Sequence, residues 1–267
     1  MNPRRSYFAC AVLAVLCWSG CASPPAGPGA QDARILAPTG ALRVGVYPGS
    51  PSSLIRSGDG EERGVSVDLG KELARRLGVP YRKVEFARVA LVLDALKAGE
   101  VDFTVTNATP ARAAEMNFTA PLVDLELGYL VMPGSKVTQL DDVDRPGVKV
   151  GVSQGSTSQG TLARLYKSAT LVPAASLPAA AQMLSKGEID AFATNKAILF
   201  EMADTLSGAR VLDGRWGLEH LAIAVPKGRE DGMPYMRRFA DSARNEGLVK
   251  RAAERAGLRG TVEAARP

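Results

Sequence analysis

The sequence predicts an α/β protein of two similar lobes, and three observations carry that expectation. The stretch Gly99-Glu100-Val101-Asp102, followed by Thr106-Asn107, returns at the same spacing as Gly187-Glu188-Ile189-Asp190, followed by Thr194-Asn195. The run Leu42-Arg43-Val44-Gly45-Val46, leading into Tyr47-Pro48-Gly49-Ser50, is echoed by Val148-Lys149-Val150-Gly151-Val152, leading into Ser153-Gln154-Gly155-Ser156. Short apolar runs of strand length alternate with segments of helical period, the pattern of a mostly parallel sheet with right-handed crossovers. Two echoes in the same order imply a repeated unit in space.

The chain opens with Arg4 and Arg5, the apolar run from Phe8 to Leu16, and Trp18-Ser19-Gly20-Cys21. That is a charged region, a short apolar core and a small-residue cleavage site, so residues 1–20 read as a secretory signal too short to remain as a membrane span. Small residues directly before Cys21 suggest a lipoprotein signal in which Cys21 becomes the lipidated first residue. An ordinary signal cut a few residues later is the alternative. Residues 21–40 are rich in Pro, Gly and Ala without periodicity and are expected to form a flexible tether.

All three cysteines, Cys10, Cys17 and Cys21, fall in or at the edge of the signal, which leaves the body of the chain without a disulfide, a cysteine nucleophile or a cysteine metal site. The single histidine, His220, argues against zinc hydrolysis and against Ser-His-Asp chemistry. A structural role is expected for it, with no metal and no cofactor. The formal charge of +5 falls to +3 once Arg4 and Arg5 leave with the signal, and the charges are dispersed, so nucleic acid is not the expected partner.

In order, Leu42 to Val46 reads as a buried strand entering a loop. Ser66 or Asp68 can cap a helix with Leu69, Leu73 and Leu77 on one face, stopped by Gly78. Val79 to Phe86 is a strand, Ala90 to Ala98 a helix closed by Gly99, and Val101 to Val105 a strand. The chain restarts at Val148 to Val152, then a helix over Ser158 to Lys167, a helix over Leu177 to Ser185 and a strand over Ile189 to Ala193. Leu221 to Val225 is expected to cross back. Helices around Tyr235 to Asn245 and Leu248 to Ala256 then pack on the first lobe. The lobes are expected at 41–130 plus 222–260 and at 131–221, with 261–267 as a loose tail.

Ligands of open α/β sheets sit beyond the carboxyl ends of the strands. Thr106, Asn107 and Thr109 occupy such an end. Thr109 can cap a short helix with Pro110 at its first position, which leaves free N–H groups beside Arg112. An anion, and a carboxylate above all, suits that arrangement, because arginine can meet it with two parallel hydrogen bonds. A plain capped helix with a solvated Arg112 fits the same residues. In the second lobe Ser156 and Thr157 offer hydroxyls and N–H groups at a similar turn. Glycines 151, 155 and 160 match no nucleotide-binding loop. Two lobes aiming such loops at a shared crevice make a hinged device that closes on a small ligand.

From about Leu42 to Leu258 the chain resembles bacterial solute-binding family three, the polar amino-acid-binding components of ABC importers with the type II periplasmic binding protein fold. The resemblance rests on Leu42 to Val46, Gly64-Val65-Ser66-Val67-Asp68-Leu69, Leu96-Lys97-Ala98-Gly99-Glu100-Val101-Asp102, Thr109-Pro110-Ala111-Arg112 with Phe118-Thr119-Ala120-Pro121, Gly155-Ser156-Thr157, and Gly187-Glu188-Ile189-Asp190-Ala191. It implies that Arg112 grips the ligand's α-carboxylate with help from Thr109 and Asn107, and that Ser156 and Thr157 add donors. It also implies an acid for the ligand's ammonium where this chain has Asn195. Aromatic walls are expected where it has Pro51-Ser52-Ser53 and Val89. Tyr47 is left as the aromatic contact, and Arg88 lies beside Val89, so a second anionic group in place of the amine is one expectation.

The resemblance implies a non-catalytic, monomeric, periplasmic receptor. It would be lipid-anchored at Cys21 and would pass a small carboxylate solute to a membrane permease and its ATPase. A cyclohexadienyl dehydratase-like enzyme on the same fold, which needs a general acid or base in the cleft, and a stand-alone sensory module are the alternatives.

Overall fold

The computed structural model describes residues 28–58 and 60–262, so the signal expected over residues 1–20 and the lipidation expected at Cys21 lie outside the described residues. The chain begins with α1 (Pro28–Leu36) and β1 (Leu42–Val46), followed by the short strands β2 (Ile55–Arg56) and β3 (Glu62–Arg63). Next come α2 (Val65–Leu77), β4 (Tyr81–Glu85), α3 (Val89–Lys97), β5 (Thr104–Asn107), α4 (Pro110–Ala113) and β6 (Met116–Phe118). The long strand β7 (Val123–Val131) leads into β8 (Lys149–Ser153), α5 (Thr157–Leu165), β9 (Thr170–Ala174), α6 (Leu177–Ser185), β10 (Ala191–Asn195) and α7 (Lys196–Thr205). The chain closes with β11 (Arg210–Val211), β12 (Gly217–Pro226), α8 (Met233–Asn245), α9 (Leu248–Arg255) and β13 (Thr261–Val262).

Two lobes share two strands. Within each lobe the pairing is parallel, as the alternation of strands and helices predicts. β1 pairs β4, Val44 bridges Phe103, and β8 lies between β9 and β10. β7 and β12 run antiparallel from one lobe into the other, and β12 also pairs antiparallel with β5 while β7 pairs with β10. The first lobe's core gathers Leu42, Val44, Leu69, Leu73, Phe103, Ile223, Val225, Met236 and Phe239. The second lobe packs Val131, Val150, Val152 and Leu162 on one face of its sheet and Leu130, Leu177, Phe192 and Leu199 on the other. The opposite faces follow from the period of two along β7, which sends Leu130 and Val131 to different sides.

The repeated Gly-Glu-x-Asp has a common physical cause. Asp102 Oδ2 accepts the backbone N–H of Arg43 at 2.8 Å, and Asp190 Oδ2 accepts that of Lys149 at 2.7 Å. In return the N–H groups of Asp102 and Asp190 donate to the carbonyls of Arg43 and Lys149. The two echoes in the sequence are therefore the two ends of one clasp, made once in each lobe, which ties the turn before one strand to the start of its neighbour.

Three expectations need correction. The tether expected over 21–40 is helical over Pro28–Leu36, and Leu36 and Ala37 are in the first lobe's core, with the Leu36 carbonyl accepting from Arg229 Nη1 at 2.8 Å. Composition hid this because small residues can line a helix as well as a linker. The loose tail expected from 261 includes β13, which pairs Thr261 with Leu125; the remainder of that tail, 263–267, lies outside the described residues. Neither Ser66 nor Asp68 caps α2. Its N-cap is Gly64 at φ 153°, where a Cβ would meet the Ser53 carbonyl, and the Ser66 hydroxyl instead donates to the Ser52 carbonyl and accepts from the N–H of Val105.

Candidate ligand-binding cleft

The crevice between the lobes encloses about 540 Å³, its open mouth included. It is lined from the first lobe by Tyr47, Ser52, Arg88, Val89, Thr106, Asn107 and Arg112, and from the second by Ser156, Thr157, Leu177, Asn195 and Ile198. Glu219 and Leu221, on the shared strand β12, close its floor.

Arg112 is placed by local chemistry that the sequence spells out. Thr109 is extended and its Oγ1 accepts the N–H of Arg112 at 3.2 Å, so the hydroxyl caps a helix that starts at Pro110. The side chain then folds back along the end of β5. Nη1 donates to Thr106 Oγ1 at 2.9 Å and to the Asn107 carbonyl at 3.1 Å. Its other guanidinium N–H groups make no hydrogen bond with the described residues and remain free for a ligand. Burial draws the pKa of Arg112 below its ordinary value, while the Glu219 carboxylate and then Tyr47 pull it back up.

A polar chain crosses the cleft. Asn107 Nδ2 donates to Thr157 Oγ1 at 3.2 Å, and the Thr157 hydroxyl donates to Glu219 Oε1 at 3.3 Å. Asn195 Nδ2 donates to Glu219 Oε2 at 2.9 Å, while its Oδ1 accepts the N–H of Ile198 and caps α7. Ser156 caps α5 through the N–H of Gln159 at 3.1 Å. Glu219 is 8% exposed, and burial raises its pKa above the ordinary glutamate value against the opposing pull of Asn195, Arg112 and Thr157.

The lobes touch on both flanks of this cleft. A Cβ on Gly155, whose φ is +74°, would come within 2.6 Å of the Ala90 Cβ, and one on Gly49 within 3.1 Å of Leu177. Tyr47 packs against the second lobe's core, and burial pushes its hydroxyl pKa up.

Of the residues expected at the site, Tyr47, Arg88, Asn107, Arg112, Ser156, Thr157 and Asn195 all line the cleft, and Thr109 stands behind it as the cap. Arg88 enters the wall at the N-cap of α3 with its Nε buried and unbonded. Sequence reasoning missed Glu219, the one carboxylate among the residues that line the cleft. The available signal was a lone carboxylate in the run Leu218 to Val225, apolar apart from it and His220, on the same strand face as Leu221 and Ile223. His220 points to the other face, where Nδ1 sits 2.8 Å from Asp124 Oδ1.

The chain is similar to known amino-acid-binding proteins. An ABC transporter glutamine-binding protein, GlnH of Bacillus subtilis, is 28% identical over 64% of this chain and 63% of its own length, so the chain spans a little under two thirds of that relative. An L-arginine-binding protein of Pseudomonas aeruginosa is 26% identical over 78% of this chain and 85% of its own. Among solved structures, the ancestral amino acid-binding protein AncCDT-1, a precursor of cyclohexadienyl dehydratase, superposes with a TM-score of 0.72 at 24% identity, covering 84% of this chain and 98% of that one. The fold is the two-lobe type II periplasmic binding protein fold. Residues 42–256 match the model of the bacterial extracellular solute-binding proteins, family 3, and the chain belongs to that family.

Proposed function

We propose that this chain is the substrate-binding component of an ABC importer that captures a small carboxylate-bearing solute, an amino acid or derivative, and delivers it to a membrane permease. The observation that carries the proposal is Arg112. Its guanidinium is anchored through Nη1 alone, is desolvated enough to strengthen a charge-assisted bond, and faces the crevice between the lobes. Contact between Asn107 and Thr157 across the cleft gives closure a polar latch around the bound solute. The division into lobes at about residues 131 and 221, the periplasmic setting, the anchor at Cys21, the monomeric state and the permease with its ATPase belong to the same proposal.

Titration calorimetry of the wild type and Arg112→Ala against the amino acids tests it. The wild type binds at least one of them, and the variant loses about 2–5 kcal/mol of affinity, because a buried carboxylate is left without its counter-charge. Undiminished affinity in Arg112→Ala rejects the assignment.

A second reading has one specific observation in its favour. Glu219 places in the cleft a buried carboxyl group, its pKa raised by burial, of the kind an elimination uses as general acid or base, so a cyclohexadienyl dehydratase-like activity is open to a direct assay. Turnover of a prephenate-like substrate, abolished in Glu219→Gln, would establish it in place of transport.

A further inference from the structure

Three charged side chains line the cleft: Arg112, Glu219 and Arg88. Two of them have a place in the reading above, or in its enzymatic rival, and Arg88 has none. Its Nε is buried and makes no hydrogen bond, and no ion pair or hydrogen bond joins its guanidinium to the described residues. It stands at the head of α3, next to Val89, on the wall where Ala90 meets Gly155 of the other lobe. A buried Nε–H left without an acceptor beside a cleft is costly unless a ligand fills it, and the half-buried head group of Arg88 can reach the same ligand.

We infer that the solute carries a second acidic group, read by Arg88, in addition to an α-carboxylate on Arg112 and an ammonium on Glu219. The cleft then takes an acidic amino acid or a close analogue. This rests on the proposed function and narrows its substrate class.

The charge balance requires all three contacts. Arg88 and Arg112 against Glu219 give the lined cleft a net charge of +1, and an acidic amino acid, with two carboxylates and one ammonium, supplies the complementary −1. A neutral zwitterion would satisfy Arg112 and Glu219 and leave Arg88 unpaired as the lobes close. A diacid without an amine would leave Glu219 facing a carboxylate. Asn195 is the weaker partner for the amine, because its Oδ1 carries no charge and already caps α7 while its Nδ2 is turned toward Glu219. That arrangement instead holds Glu219 in place as the acceptor. The planar fork of Arg88 suits a carboxylate or sulfonate better than an amide, which offers a single acceptor oxygen.

Thermal-shift and calorimetric titrations of the full chain with L-aspartate, L-glutamate and L-cysteate, beside L-asparagine, L-glutamine and the amine-free diacids succinate and glutarate, test the inference. At least one acidic amino acid is expected to bind about tenfold or more tighter than its amide and than its amine-free counterpart. Arg88→Gln is expected to erase the preference for acid over amide while amide binding persists, and Arg88→Lys to keep part of it. An unchanged melting temperature of the ligand-free variants shows that they fold. Amides binding as tightly as the acids, or Arg88→Gln weakening both alike, overturns the inference and leaves the role of Arg112 standing. If no amino acid of either kind binds the wild type, the inference and the proposed function fall together.

Discussion

Asn195 Nδ2 donates a 2.9 Å hydrogen bond to Glu219 Oε2, so the position where family resemblance calls for an acid serves instead to hold an acid carried by another strand. The charge has moved from the end of β10 to β12, and the amide left behind orients it.

Restoring the family's residue is therefore expected to do harm. In Asn195→Asp two carboxylates meet at hydrogen-bond distance, and one of them must take up a proton. Affinity for an amine-bearing solute is expected to stay level or fall, and stability to drop by about 1–3 kcal/mol from the lost bond. Calorimetry and a denaturant melt measure both; tighter binding would contradict the assigned role of Asn195.

Glu219 also sets a pH dependence. Burial raises its pKa, so it changes charge in a window above about 4.3, the ordinary glutamate value. As pH falls through the raised value the side chain becomes neutral, and affinity for an ammonium-bearing solute is expected to fall with it. In the ligand-free protein the sign reverses: the buried group favours folding most when protonated, and its contribution to stability declines as pH rises through the raised pKa. Titrations from pH 4.5 to 7.5 are expected to show the affinity loss in the wild type and a flat, weak profile in Glu219→Gln.

Closure can be tested without touching a ligand contact. Gly155→Ala adds a methyl that would lie 2.6 Å from the Ala90 Cβ, at a φ of +74°. The backbone strain costs about 1 kcal/mol in either state, whereas the clash exists only when the lobes meet. Affinity is expected to drop about tenfold or more, with little loss of melting temperature in the ligand-free protein. Small-angle scattering is expected to show weaker compaction on adding solute. Ala90→Gly in the same chain removes the clash and should recover part of the affinity.

Asp102 is expected to be the costliest acid to neutralise in the fold. Its side chain is fully buried, accepts the Arg43 N–H, Nε and Nη2, and pairs with Arg229 Nη2 at 2.8 Å. Asp102→Asn leaves two guanidinium groups short of a partner and is expected to lose about 3–5 kcal/mol. Asp190 makes the equivalent backbone clasp at the edge of solvent, with Lys136 3.5 Å away, and Asp190→Asn is expected to lose about 1 kcal/mol. Chemical denaturation ranks the two.

The legible parts of this protein are those fixed by neighbours in sequence. Thr109-Pro110-Ala111-Arg112 specifies its own cap and helix start, and Ser156 stands just ahead of the expected α5, so the donors at those strand ends could be named in advance, whereas α7 and its cap Asn195 were not foreseen. The repeated aspartates were visible as an echo, but their clasp to Arg43 and Lys149 was not, because it joins segments far apart in the chain. Glu219 escaped notice for a similar reason. Its apolar neighbours mark it as a strand residue set among buried positions, and only the passage of β12 under both lobes brings it opposite Arg112. The helix Pro28–Leu36 escaped because its partners, α2 and the turn around Arg229, are supplied by tertiary packing.

β12 passes between the lobes, and Glu219 lies on the stretch of it that pairs with β7, where Gly217 faces Leu127 and Leu221 faces Val123. The acid proposed to meet the solute's ammonium thus lies on one of the two strands that join the lobes. A substitution of this acid would therefore alter the connection between the lobes as well as the lining of the cleft. Arg88, at the head of α3 and off both connecting strands, is free of that double role, so its side chain can change with less effect on how the lobes are joined.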